Sequence, residues 1–213
     1  MRIRTTSLLA AAAATALATG SADAAPIDIT SQITNPSFEN GDGGPLNAVN
    51  PAGWNGGGPG FRPRASSGSL TPTDGSSQAF MNAANGIAGW QLTGETIVAG
   101  TTYTLTADVG NAPAFTDVES VVIRLYGSAL GENVALNETA LSVGAAGTWK
   151  LNQSVSFTAT GAENGQTLGV YIGVTSGTQA EWDNIRLTKV PEPGSLALMG
   201  LGGLCVLRRR RQA

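Results

Sequence analysis

The 213-residue chain contains no histidine, and this absence removes several kinds of active site. Histidine is the usual general base near neutral pH and a common ligand of zinc. Catalytic triads that contain histidine and zinc sites built on histidine are therefore excluded. The sequence also has neither a G-x-S-x-G nucleophile motif nor a phosphate-binding loop.

Cysteine is almost absent as well. The only one, Cys205, lies in an apolar stretch near the C-terminus. No intramolecular disulfide can form, so a packed core must provide the stability of the fold.

Basic residues are scarce outside the two ends of the chain. Between residues 25 and 189 there are six Lys and Arg and thirteen Asp and Glu, a net charge of −7. Binding to nucleic acid requires clustered Lys and Arg that neutralise phosphates. We therefore expect no nucleic-acid partner.

The N-terminus has the pattern of a secretory signal peptide. Arg2 and Arg4 precede an apolar, alanine-rich run from Leu8 to Ala18, and small residues surround Ala24. A positive start, a short apolar run and small residues at the end predict a signal peptide over residues 1–24, cleaved after Ala24.

The C-terminus contains three consecutive segments of different character. Pro191, Glu192 and Pro193 favour extended backbone, and residues 195–207 carry no charge. The cluster Arg208, Arg209, Arg210 and Arg211 follows at once, as in a stop-transfer signal. A helix over residues 195–207 would span only about 20 Å of a hydrocarbon core about 30 Å thick, which favours a transient anchor. The alternative is a solvated basic tail after a small core helix.

This tail, residues 190–213, resembles the PEP-CTERM sorting signal of Gram-negative bacteria in the order and spacing of its segments. The resemblance implies that an exosortase-type membrane protease cuts near the P-E-P motif. The body would pass the inner membrane, stay anchored there transiently, and then reach the cell surface or extracellular matrix.

Residues 25–189 show the alternation of β-strands. In Thr101–Val109 the apolar residues Tyr103, Leu105, Ala107 and Val109 alternate with polar ones. The same pattern occurs at residues 121–125, 149–158 and 168–174, and further candidate strands lie at 27–33, 78–81, 88–93 and 181–188. Eight or nine short strands separated by turns predict an all-β sandwich, with residues 40–63 as a long surface loop.

Three segments of this body resemble the galactose-binding-like jelly roll found in many carbohydrate-binding modules. They are Asn35 to Glu39, Ala99 to Leu105 and Trp182 to Leu187. The resemblance implies a structural calcium ion held by Glu39 and Asp183. Strand parity also places Asp183 on the face of Ile185 and Leu187, so we expect a buried carboxylate that needs a partner. Backbone N–H groups or an arginine are the alternative partners.

Carbohydrate binding requires aromatic rings on an outward face, next to hydrogen-bond donors. By strand parity Tyr126, Tyr171 and Trp182 point outward, with Arg124 near Tyr126. These four residues are the candidate glycan site, and a second packing cluster is the alternative. We assign Trp90 and Trp149 to core or rim packing.

The sequence thus predicts a non-catalytic, exported protein that binds a glycan or exopolysaccharide. A structural matrix protein without a small ligand is the first alternative. The second is a surface glycoside hydrolase, which needs only two carboxylates. The candidates for such a pair are Glu39, Asp108, Glu119, Glu181 and Asp183.

Overall fold

The structure, a computed structural model, describes residues 24–40, 50–56, 61–65, 70–82, 88–114 and 120–192. The compact body runs from Ala24 to Glu192. Within the described ranges, no helix is long and apolar enough to cross a membrane. The expected signal peptide, except Ala24, and the expected helix 195–207 lie outside the described residues.

Strands make up nearly all of the regular structure that is described. In chain order they are β1 Ile27–Asp28, β2 Asn55–Gly56, β3 Phe61–Ala65, β4 Ser77–Asn82, β5 Ala88–Thr96, β6 Thr102–Asn111, β7 Ser120–Gly127, β8 Ala135–Ser142, β9 Thr148–Thr158, β10 Thr167–Ser176 and β11 Gln179–Val190. A 3₁₀-helix, Thr30–Gln32, follows β1.

The strands form two antiparallel sheets. One has six strands in the order β3-β4-β11-β6-β9, with β1 paired to the far end of β11. The other has five strands in the order β2-β5-β10-β7-β8. The predicted all-β jelly-roll sandwich is confirmed.

Three parts of the strand prediction were wrong. The candidate strand 27–33 is only β1, Ile27–Asp28, followed by the 3₁₀-helix Thr30–Gln32. The segment 40–63, expected as a loop, contains β2 and the first residues of β3. Strand β8 was not predicted, because its burial follows no regular alternation along Ala135–Ser142. The last two errors concern strands with little apolar alternation, at the edges of the sheets.

The core lies between the sheets and follows the alternation read from the sequence. Leu105 and Val109 of β6 are fully buried against Ile123 of β7 and Ile172 of β10. Complete burial of one such side chain contributes about 1.5–3 kcal/mol.

Two asparagines interrupt the alternation in the two strands that flank β6. Asn152 in β9 and Asn184 in β11 have φ angles of 56° and 52°, in the left-handed region that asparagine tolerates better than most residues. The pairing register shifts beside each one, so each strand has one extra residue opposite β6. Such a bulge moves the side chains beyond it to the other face.

The bulge at Asn184 reverses the parity expected for β11. Trp182 belongs to the same buried cluster as Ile185 and Leu187 and is fully buried. Its predicted outward position was therefore wrong, because the parity was counted through the bulge. Asp183 is buried as expected, but on the opposite face of the sheet.

Candidate functional site

A row of side chains crosses the outer face of the five-stranded sheet. Tyr171 of β10 lies opposite Trp90 of β5 on one side and Arg124 of β7 on the other. Arg124 in turn lies opposite Glu138 of β8, and Asn55 of β2 lies opposite Trp90. We call these five residues the outer row. It alternates along the strands with buried core residues and therefore faces away from the core.

Arg124 is held in place within the outer row. Its Nε donates a hydrogen bond of 2.8 Å to Oε2 of Glu138, and Nη2 lies 2.7 Å from the same oxygen. Nη1 donates to the carbonyl of Glu132 at 2.6 Å. The guanidinium carbon lies 4.4 Å from the ring centroid of Tyr171, within cation–π distance. A guanidinium has five N–H groups, so these contacts do not exhaust its donors.

The two glycines of β10 lie beneath tyrosine rings. A Cβ atom at Gly173 would lie 2.9 Å from Cε1 of Tyr171, and one at Gly169 would overlap the ring of Tyr126. Glycine weakens a strand interior, and an aromatic ring that covers it offsets part of this cost. The glycines therefore allow both rings to lie close to the backbone.

Tyr126 does not offer a free ring, although outward parity was expected from the sequence. Its exposed fraction is 2%, since the ring covers Gly169 and the chain after β7 returns over this face at Glu132. Burial is the main cause that raises the pKa of Tyr126. Tyr171 and Arg124, by contrast, remain partly exposed.

The sequence prediction did not include Trp90 in this face. Strand β5 is inverted relative to an ordinary amphipathic strand: Gln91 and Thr93 are buried, while Leu92 is 50% exposed. Gln91 exchanges two hydrogen bonds with the backbone of Thr34, at 2.8 and 3.0 Å, which satisfies its buried amide. The alternation in Trp90–Thr93 does indicate a strand. It places Trp90 and Leu92 in the core, however, if polar residues are assumed to point outward.

The predicted metal pair, Glu39 and Asp183, contacts a single segment, residues 73–77, which is the loop before β4 and the first residue of that strand. Oδ2 of Asp183 accepts the N–H groups of Thr73 at 2.7 Å and Asp74 at 2.9 Å. Oε1 of Glu39 accepts the N–H groups of Ser76 at 2.9 Å and Ser77 at 2.8 Å. Both carboxylates therefore accept hydrogen bonds from the backbone of this one segment and stabilise its conformation.

Asp183 lies next to a second buried carboxylate, its pairing partner Asp108. Asp108 accepts the N–H of Asn152 at 2.7 Å and the side-chain amide of Asn184 at 3.0 Å, so it braces both bulges. Burial raises the pKa of Asp183 from 3.8 to about 6, while the surrounding N–H donors oppose this shift.

Oδ1 of Asp183 accepts the N–H of Asn184 at 2.7 Å, so backbone N–H groups satisfy both of its oxygens without an ion, as the alternative based on backbone N–H groups anticipates. Among the described residues, no group of three or more His, Cys, Asp or Glu side chains is arranged to hold a metal. An N–H that points at a carboxylate oxygen takes the position that a cation would need. The arrangement of Asp183 thus does not fit a calcium ion well, and calcium stays a prediction.

A calcium ion shared by Glu39 and Asp183 would raise the melting temperature of the body as calcium is added, because it would bind only the folded state. The Asp183→Asn variant should lose this dependence. The measurement is a thermal melt in calcium and in chelator, after any retained ion has been stripped. Identical melts of the unsubstituted protein would contradict the site.

Two family models match the chain. One, described as HpiC1-like, HpiC1 cyclase, matches residues 29–188. The other, the PEP-CTERM protein-sorting motif, matches residues 189–211 and confirms the resemblance of the tail. This motif implies processing by exosortase, a membrane protease, and export with a transient membrane anchor to a surface location. No curated protein matches the chain.

Solved structures similar to the body include two cyclases from Fischerella sp. TAU. The Stig cyclase Fisc, in complex with (3Z)-3-(1-methyl-2-pyrrolidinylidene)-3H-indole, has 21% identity and a TM-score of 0.65, over 79% of this chain and 100% of its own. A second has 20% identity and a TM-score of 0.61, over 79% and 99%. The carbohydrate-binding module TmCBM61 with β-1,4-galactotriose has 16% identity and a TM-score of 0.48, over 73% and 96%.

Proposed function

We propose a function from the premise that this chain belongs to the HpiC1-like family of cyclases, whose model covers nearly the whole body. Membership of a cyclase family overturns the expectation that the protein is non-catalytic. Our proposal is that it is a surface-sorted member of this family that holds a ring-bearing ligand on the outer row.

The observation that carries the proposal is the stacking of Arg124 on Tyr171, next to Trp90 in the same row. Aromatic faces contribute apolar area with defined geometry, and a guanidinium adds hydrogen bonds in a fixed plane. Because Glu138 and the Glu132 carbonyl already hold Arg124, little side-chain entropy is lost when a ligand binds.

A glycan of a surface polysaccharide is the first candidate ligand. A pyranose ring offers a flat C–H face for stacking and hydroxyl groups at its rim. The polar ends of the outer row, Asn55 and Glu138, are both exposed and lie where such hydroxyls would fall. These features favour a neutral sugar, since the charge of Arg124 is already paired with Glu138.

An aromatic heterocycle that undergoes cyclisation is the second candidate, and it is favoured by the family. Acid-assisted cyclisation requires a group that is protonated near neutral pH and touches the substrate. The Tyr171 hydroxyl meets the first condition, because the ordinary pKa of tyrosine is about 10. Burial raises this pKa further, against the opposing effect of Arg124, so the hydroxyl would assist mainly as a hydrogen-bond donor. Asp183 lies on the outer face of the other sheet and does not contact a ligand on this row.

Replacing Tyr171 by alanine should weaken ligand binding roughly five- to a hundred-fold, which is the loss of affinity expected when one stacked ring is removed. The experiment is a glycan array of the purified body, residues 24–192, with a parallel fluorescence titration of the indole compound named above. Trp149→Ala is the matched control, because Trp149 is a half-buried aromatic residue outside the outer row.

The Tyr171→Phe variant distinguishes the two candidates. Stacking on a glycan should survive loss of the hydroxyl, whereas turnover of a heterocyclic substrate should fall if Tyr171 supplies the proton. Equal binding by Tyr171→Ala and Trp149→Ala, or binding of neither ligand class by the unsubstituted body, would contradict the proposed site.

A further inference from the structure

The last strand of the body runs directly into the sorting motif. Val190, the final residue of β11, pairs with Thr102, and Lys189 pairs with Ile27 of β1. The ammonium group of Lys189 also lies 2.7 Å from a carboxylate oxygen of Glu95. The backbone is thus held firmly up to the residue before Pro191.

Beside this point lies the connection from β5 to β6, residues 97–101, which we call the exit turn. Each of its five backbone N–H groups has an acceptor, at 2.8 to 3.1 Å: Gln166 O, Tyr103 Oη, Asn164 Oδ1, Ala159 O and Val98 O. A turn whose backbone donors are all satisfied, four of them by groups outside the turn, is a rigid platform.

The glutamate of the P-E-P motif rests on this platform. Gly100 has a φ of +80°, and a Cβ atom there would lie 2.7 Å from both Cγ and Oε1 of Glu192. The side chain of Glu192 is nevertheless exposed, and Val98 in the same turn is 51% exposed. An accessible carboxylate therefore lies against a turn that also carries an exposed apolar side chain.

We propose that the exit turn and Glu192 together form a docking surface for the exosortase-type protease. The enzyme would recognise the glutamate as the folded body presents it, with a basic group for the carboxylate and an apolar contact for Val98. Pro191 favours extended backbone, and a preorganised segment binds at a lower entropic cost than a free one. This inference rests on the sorting part of the proposed function.

The test replaces Gly100 by alanine in the full chain, expressed in cells that contain the processing system. The added methyl group must displace Glu192, so tail removal should slow roughly fivefold, as for loss of one interface contact. Gly131→Ala is the matched control: its φ is +73°, and nothing lies within 4 Å of the added methyl group. Both variants introduce similar backbone strain, but only one moves Glu192.

A second pair of variants keeps the test informative if Gly100→Ala does not fold. Val98→Ser removes the apolar contact of the exit turn, whereas Leu151→Ser changes a side chain of similar exposure, 53%, far along the sequence. The readout is the intact mass of the protein at successive times, with thermal melts of every variant. Slower tail removal in both exit-turn variants supports the docking surface.

Equal or faster tail removal in the exit-turn variants, relative to their controls, would overturn it. If those variants and controls are all processed at the rate of the unsubstituted chain, sorting stands and only the docking surface is lost. A stable full-length C-terminus in the unsubstituted chain would instead contradict the proposed sorting, and this inference with it.

Discussion

Truncation of Trp182 to alanine is expected to lower the free energy of unfolding by about 3–5 kcal/mol, as large aromatic truncations in a core do. The side chain is fully buried among the residues that both sheets contribute. Removing it leaves a cavity lined by apolar groups, which the neighbouring strands cannot close completely. Denaturant unfolding followed by circular dichroism measures the change.

The control for this prediction is Trp90→Ala. Trp90 is only half-buried on the outer row, so its loss should cost much less, on the order of 1 kcal/mol. If instead the two variants were equally stable, Trp182 would have to be exposed, and the reversal of parity at Asn184 would be refuted.

A second large effect is expected in the dependence of stability on pH. Burial raises the pKa of Asp183 to about 6, above the value of 3.8 for an exposed carboxyl. Between about pH 4 and pH 6 the folded protein therefore holds a proton that the unfolded chain has lost. Its contribution to stability is fully present below about pH 4 and disappears as the pH rises through 6, a loss of about 3 kcal/mol.

The measurement is the free energy of unfolding at several pH values between 4 and 7. Asp183→Asn, which cannot titrate, should lack this fall. Asp28 has a lowered pKa, through its hydrogen bond to Thr30, so its effect lies below about pH 4 and does not interfere. A wild-type curve that rises with pH across this window would mean that the N–H donors outweigh burial at Asp183.

Much of the fold could be predicted from alternation alone. Strands such as β6 and β10 are regular, and their apolar residues are the ones that the structure buries. Alternation reports only which residues share a face, within a segment that has no interruption. The extra residue at Asn184 was not recognised, because the parity of Trp182 was counted from Ile185 as if the strand had no interruption.

The candidate site was predicted in part. Tyr171 and Arg124 were placed correctly on the outer face, and the structure adds that they stack. Trp90 was missed because β5 buries its polar residues, which the backbone of Thr34 and the ammonium group of Lys189 satisfy from distant parts of the sequence. Tyr126 was misjudged because the returning chain near Glu132 covers it. The sequence around each residue does not show partners that are distant along the chain.

The two bulges restrict where this chain can accept insertions and deletions. Trp182 and Ile185 are buried on the same face of β11, yet they are three positions apart. Residues on one face of an uninterrupted strand are an even number of positions apart. Odd spacing between core residues of a strand is the mark that a bulge leaves in a sequence, and it can be sought in any relative. Deleting Asn184 alone would restore even spacing, but it would slide half of β11 past β6 and leave Asp108 bracing only Asn152.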